Sequence, residues 1–143
     1  MPRKSRARSE PAPKAETPEA PAVANAYRGE HTLDLGGKTY KLRPTYDAIV
    51  EMEDGTGLSL VDLTRRADRH GLKLSEAAKV ATALIKAGAS DPLTAAVSAE
   101  RIGELIYEQG LISVVIRLTL CLGEAVGGGR TATGEAKAAI VPA

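Results

Sequence analysis

Residues 31–50, HTLDLGGKTYKLRPTYDAIV, decide the fold. Apolar and polar residues alternate on both sides of Gly36-Gly37, and glycine supplies the positive φ that both central positions of a type I′ turn require. The stretch reads as a β-hairpin with His31 opposite Leu42, Leu33 opposite Tyr40 and Leu35 opposite Lys38. Those side chains share one mostly apolar face, while Thr32, Asp34, Thr39 and Lys41 share a polar one. Two strands alone are marginal in water, so the apolar face predicts a layer packed against it. Pro44 ends the second strand, and Thr45 is placed to cap a helix.

Working outward, that helix carries Tyr46, Ile49, Val50 and Glu53 at helical spacing and breaks at Gly55-Thr56-Gly57. Ser59 caps a second helix with a narrow stripe of Leu60, Leu63 and Ala67, ended by Gly71. Ser75 and Glu76 open a third, with Ala78, Ala81, Leu84 and Ile85 inward and Gly88 at its close. Asp91-Pro92 and Ser98 bracket a linker or short turn, and Ser98 caps a fourth helix carrying Ile102, Leu105 and Ile106 up to Gly110. The fifth, Leu111 to about Val126, is apolar nearly all round, as the central element of a bundle is. The alternative is that part of its surface forms a groove for a partner. The fold class expected is α+β, an N-terminal two-stranded hairpin packed on a bundle of four or five helices over residues 27–126.

Outside those limits the pattern is lost. Residues 1–26 hold five prolines among Ala, Glu and basic residues, and read as a disordered arm with Arg3, Lys4, Arg6 and Arg8 at its head. Residues 127–143 begin with Gly127-Gly128-Gly129 and read as a flexible tail. The formal net charge is +1, and four unstructured cations give only weak, salt-sensitive attraction, so nucleic acid is not the expected partner. No Phe or Trp is present and the core must be aliphatic. Cys121 is the one cysteine, which excludes an internal disulfide and suits a reducing compartment. No apolar run reaches the ~18 residues of a membrane span, and a cytoplasmic protein without a membrane role is expected.

Catalytic chemistry finds no footing. His31 and His70 stand in no metal or triad motif. Asp47 and Glu51 lie at i and i+4, but no histidine or second acidic helix accompanies them, and a solvated face accounts for the pair. The Asp54-to-Leu58 turn lacks the Lys-Ser/Thr of a phosphate loop. No cofactor or metal site and no enzymatic activity are expected.

From about Arg28 to Gly127 the chain resembles the tail assembly chaperones of gene transfer agents and tailed phages, some of which carry an older tail-tube label. The resemblance rests on Gly29-Glu30 through Leu35, on Gly36 to Tyr40, and on Leu42-Arg43-Pro44-Thr45-Tyr46 leading into an acidic helix with Glu51 and Glu53. Ile102-Gly103-Glu104-Leu105-Ile106 and the closing apolar helix continue it; residues 1–26 lie outside it. It implies a non-enzymatic role: shielding the long tape-measure helix until tail-tube subunits polymerise around it. The partners it implies are the tape-measure protein and tube subunits, and self-association is kept open beside them. In some relatives a frameshift extends the C-terminal region. A structural tube component is the second reading, disfavoured because tube subunits are built mainly of β-sheet. A small nucleic-acid-binding regulator using the basic arm is the third. Candidate partner contacts are Leu33, Tyr40 and Leu42 on the hairpin and Ile112, Val115, Ile116 and Thr119 on the last helix. For each of them, burial in the protein's own core is the competing reading.

Overall fold

The hairpin forms in the expected register. Strands β1 (His31–Leu35) and β2 (Lys38–Leu42) pair antiparallel, with His31 opposite Leu42, Leu33 opposite Tyr40 and Leu35 opposite Lys38. Gly36 and Gly37 take φ of 58° and 80°, as the turn demands. The computed structural model describes residues 30–128 and Ala24. The remainder of the 1–26 arm and residues 129–143 of the tail lie outside the described residues.

Among the described residues six helices follow: α1 (Tyr46–Thr56), α2 (Leu60–Asp68), α3 (Leu74–Gly88), α4 (Pro92–Ala95), α5 (Ala99–Gln109) and α6 (Leu111–Val126). The architecture is α+β, with one more helix than the sequence suggests. The addition is α4, a single turn inside the expected linker. Asp91 caps it, its carboxylate accepting from the Thr94 amide at 2.8 Å and the Thr94 hydroxyl at 2.9 Å, and these bonds hold the Asp91 carboxyl below its ordinary range. Thr45, Ser59 and Ser98 cap α1, α2 and α5, each accepting an amide hydrogen bond at 3.1 Å. Helix α3 starts at Leu74, slightly ahead of Ser75, because the Glu76 carboxylate accepts from the Lys73 amide and stabilises an earlier first turn.

The centre of the bundle is α3 and not α6. Helix α3 packs against α1, α4, α5, α6 and β2, whereas α6 packs against α2, α3, α5 and β1. Small residues make the difference. Ala77, Ala78, Ala81, Ala83 and Gly88 are all buried on α3 and let its neighbours approach from several sides. Val80, Leu84 and Ile85 supply the bulk between them, fully or almost fully buried.

The hairpin is fixed to this bundle by its backbone as well as its side chains. Leu33, Leu35, Tyr40 and Leu42 are buried in the common core. In a hairpin closed by a two-residue turn, Leu35 and Lys38 exchange the ladder bonds, so Thr32, Asp34, Thr39, Lys41 and the following Arg43 turn their backbone groups outward. Three of these groups meet the protein itself. The Asp34 carbonyl accepts from the Gln109 side-chain amide, the Arg43 amide donates to the Leu84 carbonyl at 3.1 Å, and the Lys41 carbonyl lies over Gly88.

A β-carbon at Gly88 would collide with the Lys41 carbonyl, its carbon only 2.9 Å away. Gly88→Ala is expected to destabilise the fold by roughly 2 kcal/mol or more. Gly37→Ala has open space around the new methyl but a positive φ, and should cost only about 1 kcal/mol. Urea unfolding of the two variants checks both the size and the order of these effects.

Candidate functional site

Side chains on α6 divide by rotation about its axis. Val114, Val115, Leu118, Cys121 and Leu122 face the core and are buried. On the opposite side Ile112, Ile116 and Leu120 are 50%, 48% and 50% exposed, large fractions for three aliphatic residues in sequence at i, i+4 and i+8. They form one continuous apolar stripe about 12 Å long, at 1.5 Å per residue. Thr119 is half-buried beside the stripe, with its hydroxyl turned back to the Val115 carbonyl at 2.8 Å. Arg117 and Ser113 are exposed on the same helix, and Val61 of α2, which packs against α6, is 47% exposed.

The structure thus separates the seven candidate contacts. Leu33, Tyr40, Leu42 and Val115 are interior residues, a correction to their placement on a partner surface. The three hairpin residues are covered by the bundle, and Val115 is turned about 100° from its neighbour Ile116, enough to carry it into the core. Ile112 and Ile116 present surface, and Thr119 contributes its edge. Leu120 belongs with them although it was not among the candidates; its i+4 spacing from Ile116 was the available signal.

A second surface lies between α3 and α5. It is a groove of about 780 Å³, floored by Ala78, Ala99 and Gly103, with Leu74 and Tyr107 as its large apolar members. Gly103 brings the two helices close: a β-carbon there would stand 3.2 Å from that of Ala78. Tyr107 is 75% exposed. Glu100, Glu104 and Glu108 line the same groove at four-residue spacing. Nothing in the sequence pattern marks this surface, because a floor of Ala and Gly has no hydrophobic signature.

Residues with chemical potential elsewhere are engaged in structure. Glu51 pairs with Lys86 at 2.9 Å, and Glu53 accepts from the Leu60 amide at 2.8 Å, tying α1 to the start of α2. His31 lies 3.6 Å from Glu124, linking β1 to the end of α6. Among the described residues no cluster of three or more His, Cys, Asp or Glu could hold a metal ion. No single described helix is long and apolar enough to cross a membrane.

A model of the family described as "Phage tail tube protein, GTA-gp10" matches residues 28–128, from just before the hairpin to just past α6. The chain belongs to this phage and gene transfer agent tail family. No curated protein and no solved structure matches the chain. The family gives the setting, the tail of a phage or gene transfer agent.

Burial pushes the Cys121 thiol up to about 12, with the Glu124 carboxylate adding to the rise. At pH 8 roughly one molecule in 10⁴ then carries a thiolate, so the folded protein should resist a disulfide-exchange reagent that labels it promptly in denaturant. Placement on α6 gives a sharper contrast. Val115→Asp buries a charge and should unfold the domain, whereas Ile116→Asp, one residue on, should shift the melting temperature by only a few degrees. Thermal melts of the two variants, followed by circular dichroism, test the division of the helix.

Proposed function

We propose that this tail protein is a non-enzymatic assembly chaperone, acting in the cytoplasm, which holds an apolar helix of the tape-measure protein while tail-tube subunits polymerise. One observation carries the choice over a tube subunit. The hairpin's outward backbone groups at Asp34, Lys41 and Arg43 are already met by Gln109, Gly88 and Leu84, so a neighbouring strand would have to displace the protein's own contacts in order to pair there. A wall built by joining sheets favours the reverse, open edges along full strands, and each strand here has five residues.

The α6 stripe suits the chaperone's task. A partner helix lays its own apolar seam along Ile112, Ile116 and Leu120. Three half-exposed side chains present only a small part of the roughly 800 Å² that each partner contributes to a stable interface. Contact through them is correspondingly weak and reversible, which suits a factor that must let go when tube subunits arrive. Self-association through the same stripe would follow the same physics.

The second reading, a structural tube component, is favoured by the family's own description as a tail tube protein. Co-expression with the tape-measure protein encoded in the same tail cluster, followed by mass spectrometry of purified particles, separates the two. The chaperone reading expects soluble co-purification that Ile112→Glu and Ile116→Glu reduce roughly tenfold, together with absence from finished particles. Stoichiometric presence in the particles would overturn it in favour of the tube.

A further inference from the structure

We infer that the α3–α5 groove is a second docking site, separate from the α6 stripe, and that its occupant is an amphipathic helix whose apolar seam is flanked by Lys or Arg. The inference does not depend on the chaperone reading; it requires only the groove.

Three observations lead to it. The floor is made of Ala78, Ala99 and Gly103, residues small enough to let the backbone of a third helix settle between α3 and α5. Leu74 and the largely exposed ring of Tyr107 offer apolar surface to that helix's seam. The charge of the lining is one-sided. Glu100, Glu104 and Glu108 stand at i, i+4 and i+8 on α5 and run about 12 Å along one wall, at 1.5 Å per residue. Among the described residues of the lining Lys79 is the one cation, and its ammonium is drawn out toward the Gly55 carbonyl at 3.0 Å. Glu104 shares Arg101 at 3.2 Å, while Glu100 and Glu108 have no cationic partner among the described residues.

A row of carboxylates repeating every four residues is matched by basic residues repeating every four on an adjacent helix. It repels a helix with acidic flanks, so the wall selects as well as attracts. The site also differs in orientation from the α6 stripe, because α6 leaves α5 at 119°. One molecule can hold two segments at once, an apolar seam on α6 and a basic-flanked helix on α5.

The test uses the full chain and two synthetic helices of about 18 residues, five turns. They have the same Leu/Ala seam and carry either Lys or Glu on its flanks. Binding is read by fluorescence anisotropy and by amide chemical shifts. The expected result is that the Lys-flanked helix binds at least roughly tenfold more tightly than the Glu-flanked one, with shifts at Ala99, Gly103 and Tyr107. Tyr107→Glu and the exposed double change Glu104→Lys with Glu108→Lys should each remove most of that binding without unfolding the domain. Ile116→Glu should leave it unchanged. Equal binding of the two helices would overturn the inference, as would loss of binding in Ile116→Glu. Deleting residues 1–29 gives a further decision. If deletion alone moves the groove signals and the Lys-flanked helix then moves them no further, the groove is the seat of the chain's own basic arm and the inference fails.

Discussion

Everything in this fold depends on how closely one strand approaches one helix. At Gly88 the end of α3 comes into contact with the Lys41 carbonyl, and the Arg43 amide reaches the Leu84 carbonyl on the same helix. With no Phe or Trp and only four Tyr, the chain lacks the large side chains that fill wide gaps between elements. It closes the gaps instead by bringing backbones together, which requires Ala and Gly at the contacts. The alanines of α3 serve this purpose toward α1, α5 and α6 just as Gly88 does toward the hairpin. The packing that results leaves little slack, because a helix surrounded on several sides cannot move toward one neighbour without leaving another.

The parts of this arrangement that are legible in the sequence are those set by local rules. A period of two on either side of Gly36-Gly37 determines the strand register, and Thr45, Ser59 and Ser98 mark three helix starts through their side-chain oxygens. Long-range packing is less visible. Leu33, Tyr40 and Leu42 show that the hairpin has an apolar face, but alternation cannot tell whether helices of the same chain or a partner cover it. The richness of α6 in Leu, Ile and Val suggests the most buried helix, yet alanine-rich α3 occupies the centre. Hydrophobicity measures what a helix gains on burial; the size of its side chains decides how many neighbours can bury it at once.

The same distinction explains the surfaces. On a helix apolar all round, Val115 and Ile116 look equivalent in sequence, and only the three-dimensional position of α2, α3 and β1 determines which is covered. The α3–α5 groove is less visible still. Its floor arises from Ala78 and Gly103 facing one another across two helices, a relation between positions 25 residues apart, read directly from their numbers. Tyr107 and the three glutamates read individually as ordinary solvent-facing residues; the groove exists only where the small floor and this wall are brought together.

Covered hairpin edges and incompletely covered helices have a common physical origin. A hairpin of five-residue strands needs the bundle for its stability, and the bundle reaches it partly through the backbone groups that would otherwise be open to another strand. Stabilising the hairpin therefore takes up part of its capacity for sheet extension. The helices remain free to present side chains, since their backbone bonds are satisfied internally. With α3 packed on most sides, the groove it lines with α5 and the outer face of α6 remain as accessible apolar surface. A protein built this way offers side chains along its helices for contact with other chains. Such contact can be made and broken without unfolding either partner, as the proposed assembly role requires.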